Sequence, residues 1–325
     1  MTRNRPTPDT QEIDIMPDPD TKPTTNNRMD QTIGLIGVGV MGRGIAKNLA
    51  QAGFTVHALD KQKQAIADLD CFGVKAAADL TGLVAECRTV ITCLPTQAAV
   101  EQVYLGDKGL LSLVSRSTDF IDCSSSDPAL TRTIGQRAAA AGHQLVDAPM
   151  LLGGKAAWQG TVTLIVGGAA DVIARCTPVL EAFSEKLIHA GALGSAHEIK
   201  AINNAVTLAN HTILSEAFSV AMSSGIDLRT LIEVMQSSMA NSSKLHDLGR
   251  RVLDDNYEKT ISFVTARKDA ANFVSIAERL GASAEVSKAV LSCLTDMGNA
   301  GDPTDTITRM PQRLMSCRAK PLNDA

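Results

Sequence analysis

Three glycines between an apolar run and a helical pattern constrain the fold of this chain more than any other feature. Residues 32–36 form the run, and Gly37, Gly39 and Gly42 follow with the spacing Gly-x-Gly-x-x-Gly. The first glycine allows a tight turn, the second lets the backbone approach a pyrophosphate, and the third lets the helix pack closely on the strand. The pyrophosphate would lie at the helix N-terminus, where free N–H groups meet it. We therefore predict a dinucleotide site at Gly37, Gly39, Val40, Met41 and Gly42.

An acidic residue supports this interpretation. Asp60 ends a second strand-like segment, residues 54–59, downstream of the glycines. A carboxylate at that place accepts hydrogen bonds from ribose hydroxyls, and its charge would repel the 2′-phosphate of NADP. Lys61 next to it would attract that phosphate. On balance the pattern favours NAD over NADP.

Composition excludes several classes of protein. The 31 basic and 35 acidic side chains nearly cancel and aromatic residues make up 3%, which argues against a nucleic-acid surface. We find no apolar run long enough for a membrane span and predict no membrane partner. Residues 1–30 contain five prolines among polar residues and predict a disordered tail without a secretory signal. The seven cysteines show no metal-ligand spacing, which predicts reduced thiols in the cytoplasm and no metal site.

The order of predicted elements gives the fold class. Strand-like and helix-like segments alternate up to about residue 190, with strands at 32–36, 55–59, 89–93, 119–122, 144–147, 162–166 and 186–189. This alternation predicts an α/β fold with a doubly wound parallel sheet. Helical patterns then cover 196–223, 228–237, 243–253, 265–280 and 284–298. We expect a tail (1–30), a Rossmann-type domain (31–193) and an all-α substrate and dimerisation domain (194–325), whose first helix either spans two lobes or anchors a dimer.

Two groups of residues are candidates for chemistry. Lys200 and Asn204 are four residues apart, so they share a helix face and can act on one substrate group. If that face lines a cleft, desolvation lowers the lysine pKa towards that of a proton carrier; otherwise the two are a solvated surface pair. The glycine-containing segment after Asp147 either cradles a carboxylate with its N–H groups or is an ordinary loop. Strand-end segments 94–95, 123–126 and 149–154 should lie near the cofactor.

Five motifs in this order resemble the β-hydroxyacid dehydrogenase family, which includes 3-hydroxyisobutyrate dehydrogenases. They lie at 34–42, at 122–128, at 147–149 with 160–161, at Lys200 with Asn203 and Asn204, and at 268–269. The similarity covers about residues 31–315. It implies a Rossmann domain and a helical domain with the active site between them.

The resemblance also implies roles for single residues. Lys200 would be the general acid/base, and Asn204 would position the substrate. Leu94, Pro95 and Ser125 would line the nicotinamide end of the cofactor, which Lys268 would reach from the helical domain.

One segment departs from the family pattern. The family usually has Asp-Ala-Pro-Val-Ser-Gly-Gly, whereas this chain has Met150, Leu151 and Leu152 at Val, Ser and the first Gly, and retains Gly153. A hydroxyl donor is therefore lost and two leucines enter the predicted substrate segment. Either small hydroxy acids bind poorly, or the pocket takes a bulkier or less acidic substrate. Ala99 also replaces an expected Asn near the nicotinamide.

Further polar residues allow two interpretations. Ser243, with Asn241 and Ser242, either contacts the substrate or begins a helix. His211 shares the stripe of Lys200 and either borders the pocket or is packed, the second being favoured. His197 is close to Lys200 in sequence.

Together these features predict an NAD-dependent oxidoreductase that transfers a hydride between nicotinamide and a small β-hydroxy acid or related hydroxy compound. The alternatives are an aldehyde or imine reductase of the same superfamily, and a catalytically silent NAD-binding protein. A phosphogluconate-type decarboxylation is disfavoured because the loop that anchors the sugar acid is missing. The resemblance further implies a homodimer or homotetramer.

Overall fold

The first half of the chain alternates strands and helices, as predicted. The computed structural model describes residues 31–257 and 260–317; the predicted tail lies outside the described residues. The elements are β1 (Thr32–Ile36), α1 (Val40–Gln51), β2 (Thr55–Leu59), α2 (Lys63–Ala67), β3 (Lys75–Ala76), α3 (Leu80–Glu86), β4 (Thr89–Thr92), α4 (Gln97–Leu105), α5 (Leu110–Leu113), β5 (Asp119–Asp122), α6 (Pro128–Ala140), β6 (Gln144–Asp147), α7 (Gly153–Gln159), β7 (Val162–Gly167), α8 (Ala170–Leu180) and β8 (Ser184–Gly191). The short strand β3 adds to the seven predicted strands.

These strands form one mostly parallel sheet in the order β3-β2-β1-β4-β5-β6-β7-β8. The predicted fold class is confirmed, with one addition: β7 pairs antiparallel with β6, and β8 is parallel to β7. The reversal of strand direction at β7 has a local cause. Met150 pairs antiparallel with Leu164, and the Leu151 N–H donates to the Thr163 carbonyl (2.9 Å), so the chain folds back on itself around α7.

The central strands are buried on both faces, which explains their continuous apolar sequences. On one face, α1 packs closely against α7 because Gly44 has no side chain. A Cβ atom at Gly44 would lie 2.3 Å from the Ala157 carbonyl oxygen. This contact brings the segment before α7 next to the glycine turn.

The second half is helical. Its elements are α9 (Ser195–Ser223), α10 (Leu228–Gln236), α11 (Ser243–Leu253), α12 (Phe263–Leu280), α13 (Glu285–Asn299) and α14 (Met310–Cys317). The 29-residue helix α9 packs against α10–α14 and also against β7, β8 and α6, so it joins the two halves. Among the described residues, no helix has the length and apolar character that crossing a membrane requires.

Candidate active site

The glycine turn has the geometry that its sequence predicts. Gly37 adopts φ +96°, a left-handed conformation that favours glycine, and a Cβ atom there would lie 2.2 Å from the Cys93 carbonyl oxygen. A Cβ atom at Gly42 would lie 2.0 Å from the carbonyl oxygen of Gly37. Any side chain at either position would therefore displace the backbone.

The space in front of α1 fits a pyrophosphate. Gly39 precedes the helix, no side chain caps this N-terminus, and a Cβ atom at Gly39 would meet no atom within 4 Å. The first N–H groups of the helix therefore face open space, which a phosphate can approach. Val40 is exposed and Met41 is half-buried at the same end.

Asp60 is held beside this turn. Its Oδ2 accepts a hydrogen bond from the Val38 N–H (2.7 Å), and its Oδ1 accepts one from the Gln62 N–H (2.7 Å). The carboxylate thus has a defined orientation at the end of β2. Lys61 beside it is exposed.

Leu94, Pro95 and Ser125 lie at the carboxyl ends of the neighbouring strands β4 and β5. The Leu94 N–H donates to the Ser124 hydroxyl oxygen (2.9 Å), and Pro95 next to it is exposed. Beneath them the buried carboxylate of Asp122 accepts hydrogen bonds from the Thr92 hydroxyl (2.9 Å) and the Ser124 N–H (3.0 Å). The two strand-end loops are therefore held by one buried polar network.

The structure brings Lys200, Asn204 and Lys268 to one place around a carboxylate. Asp269 is 6% exposed; its Oδ2 accepts a hydrogen bond from the Asn204 amide (3.0 Å), and its Oδ1 lies 3.1 Å from Lys268 Nζ. The same Nζ donates to the Ser125 carbonyl (3.4 Å). Helices α9 and α12 therefore meet the loop after β5.

The pKa of Lys200 lies below the ordinary lysine value. Burial, which disfavours the ammonium, is the largest cause; the carboxylate of Asp269 raises the pKa, and the charge of Lys268 lowers it. The net direction favours the neutral amine, which is the form that can accept a proton.

The predicted substrate segment lies next to the glycine turn. A Cβ atom at Gly154 would lie 2.4 Å from a methyl group of Val40. Within the segment, the Met150 side chain is buried in the core of the first half, and Leu151 is half-buried. Leu152 is 71% exposed and adopts φ 75°, and Gly153 begins α7.

Two other candidates have different surroundings. Ser243 is exposed at the start of α11, and Ser242 caps this helix through the Leu245 N–H (3.1 Å), which agrees with a polar helix start. His211 is 1% exposed and packed: its Nε2 bonds the Ile307 carbonyl (2.8 Å), and burial lowers its pKa to about 4.

Sequence reasoning missed several polar residues near this region. Asp269 belongs to the motif at 268–269, but the sequence assigns its carboxylate no role. Its position next to Lys268 is the sequence signal that could have identified it. Asp147 is fully buried and accepts hydrogen bonds from the N–H groups of Gly194 (2.8 Å) and His197 (2.9 Å), so it fixes the start of α9. A carboxylate at a strand end carries no sequence signal for a helix that starts almost fifty residues later.

The fold and the glycine turn define a dinucleotide-dependent oxidoreductase with a helical second domain. Residues 32–191 match the family described as the NAD binding domain of 6-phosphogluconate dehydrogenase. Residues 194–313 match the family described as the NAD-binding domain of NADP-dependent 3-hydroxyisobutyrate dehydrogenase. The chain belongs to the β-hydroxyacid dehydrogenase family, which confirms the resemblance, and is an NAD(P)-dependent oxidoreductase that acts on hydroxyl groups.

Individual relatives agree. The chain is 36% identical over 214 residues to 3-hydroxyisobutyrate dehydrogenase of Pseudomonas aeruginosa. This alignment covers 66% of this chain and 72% of the relative. It is 32% identical to an NAD-dependent L-serine dehydrogenase of the same organism, over 63% of this chain and 69% of the relative. The structure of Mycobacterium tuberculosis 3-hydroxyisobutyrate dehydrogenase with L-serine superposes with a TM-score of 0.79 at 27% identity, covering 87% and 99% of the chains.

Proposed function

We propose that this chain oxidises the hydroxyl group of a small β-hydroxy acid, or a related hydroxy compound, with Lys200 as the general acid/base. The observation that carries the proposal is the cluster around Asp269. There Lys268 and Asn204 converge on one buried carboxylate, and Lys268 reaches the loop of Ser125. Burial lowers the pKa of Lys200 beside this cluster, and the carboxylate only partly opposes that shift. This arrangement supports Lys200 as the proton carrier and Asn204 as a polar anchor beside the predicted nicotinamide loops.

The chemistry of these residues follows from their partners. NAD, when bound, supplies the hydride acceptor. The neutral Lys200 amine accepts the hydroxyl proton during oxidation, and its ammonium returns this proton during reduction. Asn204 uses one Nδ2 hydrogen for Asp269, so its second Nδ2 hydrogen can be donated to the oxygen of the substrate hydroxyl, whose own proton goes to Lys200. The amide is thereby oriented before substrate binds.

The relatives point to one substrate class. Their names contain 3-hydroxyisobutyrate, L-serine and 2-(hydroxymethyl)glutarate, which are all 3-hydroxypropanoates with a substituent at carbon 2. We propose that this chain takes a member of that class. Leu151 and Leu152 replace a hydroxyl donor and a glycine in the predicted carboxylate segment, which favours a bulkier substrate or one with weaker dependence on carboxylate binding.

We propose NAD as the cofactor in preference to NADP. The fixed carboxylate of Asp60 supports this choice because a 2′-phosphate beside it would meet like charge. We expect Asp60→Ser to raise the ratio of kcat/KM with NADP to that with NAD by about tenfold or more, since one lost repulsion of about 1.4 kcal/mol gives that factor. Steady-state kinetics with both cofactors measures the ratio. A wild-type enzyme that already prefers NADP would contradict the proposal.

The role of Lys200 has a direct test. We expect Lys200→Ala to lower kcat by about 1,000-fold, within the range for loss of a general acid/base, and to leave NADH affinity nearly unchanged. The exposed Lys288 of α13 provides the control, Lys288→Ala, which should keep wild-type turnover. Equal loss of turnover and cofactor binding in Lys200→Ala would instead indicate a structural lysine.

Substrates are best sought with a panel of 2-substituted 3-hydroxypropanoates that differ in size at carbon 2. Aldehydes and cyclic imines with NADH test the reductase alternative. Imine reductase of Myxococcus stipitatus shares the fold at 18% identity and a TM-score of 0.59. NAD binding without turnover of any compound would favour the catalytically silent alternative.

We propose that the chain acts as a homo-oligomer. The support is a row of exposed apolar side chains along α9, here called the α9 stripe: Ile199, Ile202, Val206, Ile213 and Val220, each 42–59% exposed. A long apolar row on one helix is typical of a surface that a partner covers. We also propose a reducing compartment such as the cytoplasm, since the six cysteines in the described part of the chain are all free thiols.

A further inference from the structure

We propose that His197 is a positioning residue, which holds the helix that carries Lys200 in register with the two loops at the nicotinamide end of the crevice. The proposal rests on the proposed role of Lys200. It assigns His197 no contact with substrate, because its side chain is completely buried.

His197 lies in the first turn of α9, three residues before Lys200. Side chains on a helix lean towards its N-terminus, which here faces the first half of the chain. The ring of His197 therefore packs between α9 and the β5–α6 region, while Lys200 one turn later is half-buried. One helix turn thus carries a buried anchor and a candidate proton carrier.

Both ring nitrogens of His197 have partners in the first half of the chain. Nε2 lies 2.9 Å from the Ser124 carbonyl oxygen, and Nδ1 lies 2.7 Å from the Thr131 hydroxyl. A carbonyl oxygen only accepts, so Nε2 carries the hydrogen. In the neutral ring Nδ1 accepts the Thr131 hydroxyl hydrogen, for which the Asp127 carbonyl oxygen is the more distant acceptor (3.2 Å). One tautomer therefore satisfies both bonds and fixes the plane of the ring.

The partner of Nε2 leads directly to the predicted nicotinamide site. The hydroxyl oxygen of Ser124 accepts the Leu94 N–H (2.9 Å), and Ser124 precedes Ser125, whose carbonyl accepts from Lys268. His197 is thus two hydrogen bonds away from the backbone of the β4 loop. Asp147 fixes the start of α9 along its axis, and the ring of His197 ties this start to the loops.

The consequence is geometric. Hydride transfer and proton transfer occur together only if the nicotinamide carbon and the Lys200 amine flank the same substrate carbon. A displacement of about 1 Å in such an arrangement can cost about 100-fold in rate. His197 sets the distance between the elements that carry these two groups.

The test compares two buried histidines of the same helix. His197→Leu removes both ring hydrogen bonds, and His197→Gln keeps an N–H donor for Ser124. The matched control is His211→Leu: His197 and His211 are each 1% exposed, but His211 bonds only the helical half, at Ile307. We expect His197→Leu to lower kcat by about 100-fold, with partial recovery in His197→Gln, while His211→Leu stays within about threefold of wild type.

A binding measurement separates this role from general destabilisation. ADP-ribose contains the adenosine and the pyrophosphate but lacks the nicotinamide, so it reports on the glycine turn and Asp60 and not on the nicotinamide end. We expect His197→Leu to weaken NAD binding by about tenfold and to leave ADP-ribose affinity unchanged, which corresponds to about 1.4 kcal/mol lost at the nicotinamide end. His211→Leu should change neither affinity, although both variants lose thermal stability.

The outcomes are distinguishable. If His197→Leu matches His211→Leu in kcat and in the ratio of the two affinities, His197 is only a packing residue and the proposal is wrong. The comparison of NAD and ADP-ribose affinities needs no substrate. It therefore still tests the role of His197 if the wild-type enzyme turns over no compound of the panel. That lack of turnover would count against the proposed function alone. If His197→Leu fails to fold, Thr131→Val, which removes the donor to Nδ1, replaces it. An unchanged kcat and affinity ratio in Thr131→Val would then overturn the proposal.

Discussion

The pKa of Lys200 is set by three opposing influences that come from two helices, α9 and α12. Burial of the amine on α9 and the charge of Lys268 lower it, whereas the carboxylate of Asp269 raises it. The spacing of Lys200 and Asn204 predicts their shared helix face from the sequence, because helix periodicity is local. The carboxylate that Asn204 bonds lies 65 residues further on, so only the folded chain reveals it.

Asp269→Asn tests this balance. The asparagine can still accept the Asn204 hydrogen bond, but the charge that raises the Lys200 pKa is gone, so this pKa falls. Oxidation needs the neutral amine, and its fraction at a given pH therefore rises. We expect the acidic limb of the pH profile of kcat/KM for oxidation to move to lower pH.

The control for this shift is Asp296→Asn, which removes an exposed carboxylate of α13. Its profile should match that of wild type. An acidic limb that stays in place or moves to higher pH in Asp269→Asn would contradict the assigned cause.

Among the elements, α12 connects the helical half to the loop after β5 at two points. Arg279 near its C-terminus forms a bidentate pair with Asp127 (3.0 Å for each contact), and Asp127 also caps α6 through the Ala129 N–H (2.7 Å). Near the other end, Lys268 reaches Ser125 in the same loop. The helix and its end could be predicted from periodicity, although it begins two residues before the predicted start. Its partner could not be predicted, since an exposed arginine carries no sequence signal for a carboxylate 152 residues away.

We expect Arg279→Ala to lower the free energy of unfolding by only about 1 kcal/mol, because the arginine is partly exposed and water screens the pair. The larger effect should be on the cofactor: the loop of Ser125 loses one of its two ties to α12, and KM for NAD should rise about threefold to tenfold. Thermal unfolding and steady-state kinetics measure the two quantities. Arg267→Ala, on an exposed position of the same helix, should alter neither, and an unchanged KM in Arg279→Ala would show that the pair does not support the loop.

At the scale of the whole molecule, α9 packs against both halves of the chain and also has an exposed apolar side. Its buried side packs against six helices and the last two strands, while the α9 stripe remains exposed along the opposite side. The sequence predicts a helix of nearly thirty residues here. It leaves open whether that length joins two lobes or anchors a dimer, because both functions need apolar residues on a long helix.

Ile213→Lys tests the proposed oligomer. Ile213 is 59% exposed near the middle of the α9 stripe, and a lysine there would place like charges together across a symmetric interface. We expect analytical ultracentrifugation to show a multiple of the 34.3 kDa chain for wild type and a shift towards the monomer for the variant. Val286→Lys changes an exposed apolar residue on α13 and should keep the wild-type mass. A wild-type monomer would disprove the oligomer.

The sequence by itself determined the class of the fold, the glycine turn and the helix face of Lys200, because each depends on residues that are close together in the chain. Periodicity and glycine spacing are local properties, and the family motifs repeat them in a fixed order. Only the tertiary structure decided that β7 and β8 run opposite to the other strands. It also decided that Asp147 and Asp269 accept hydrogen bonds from residues of α9. These features join residues tens of positions apart, where burial and charge, rather than spacing, select the partners.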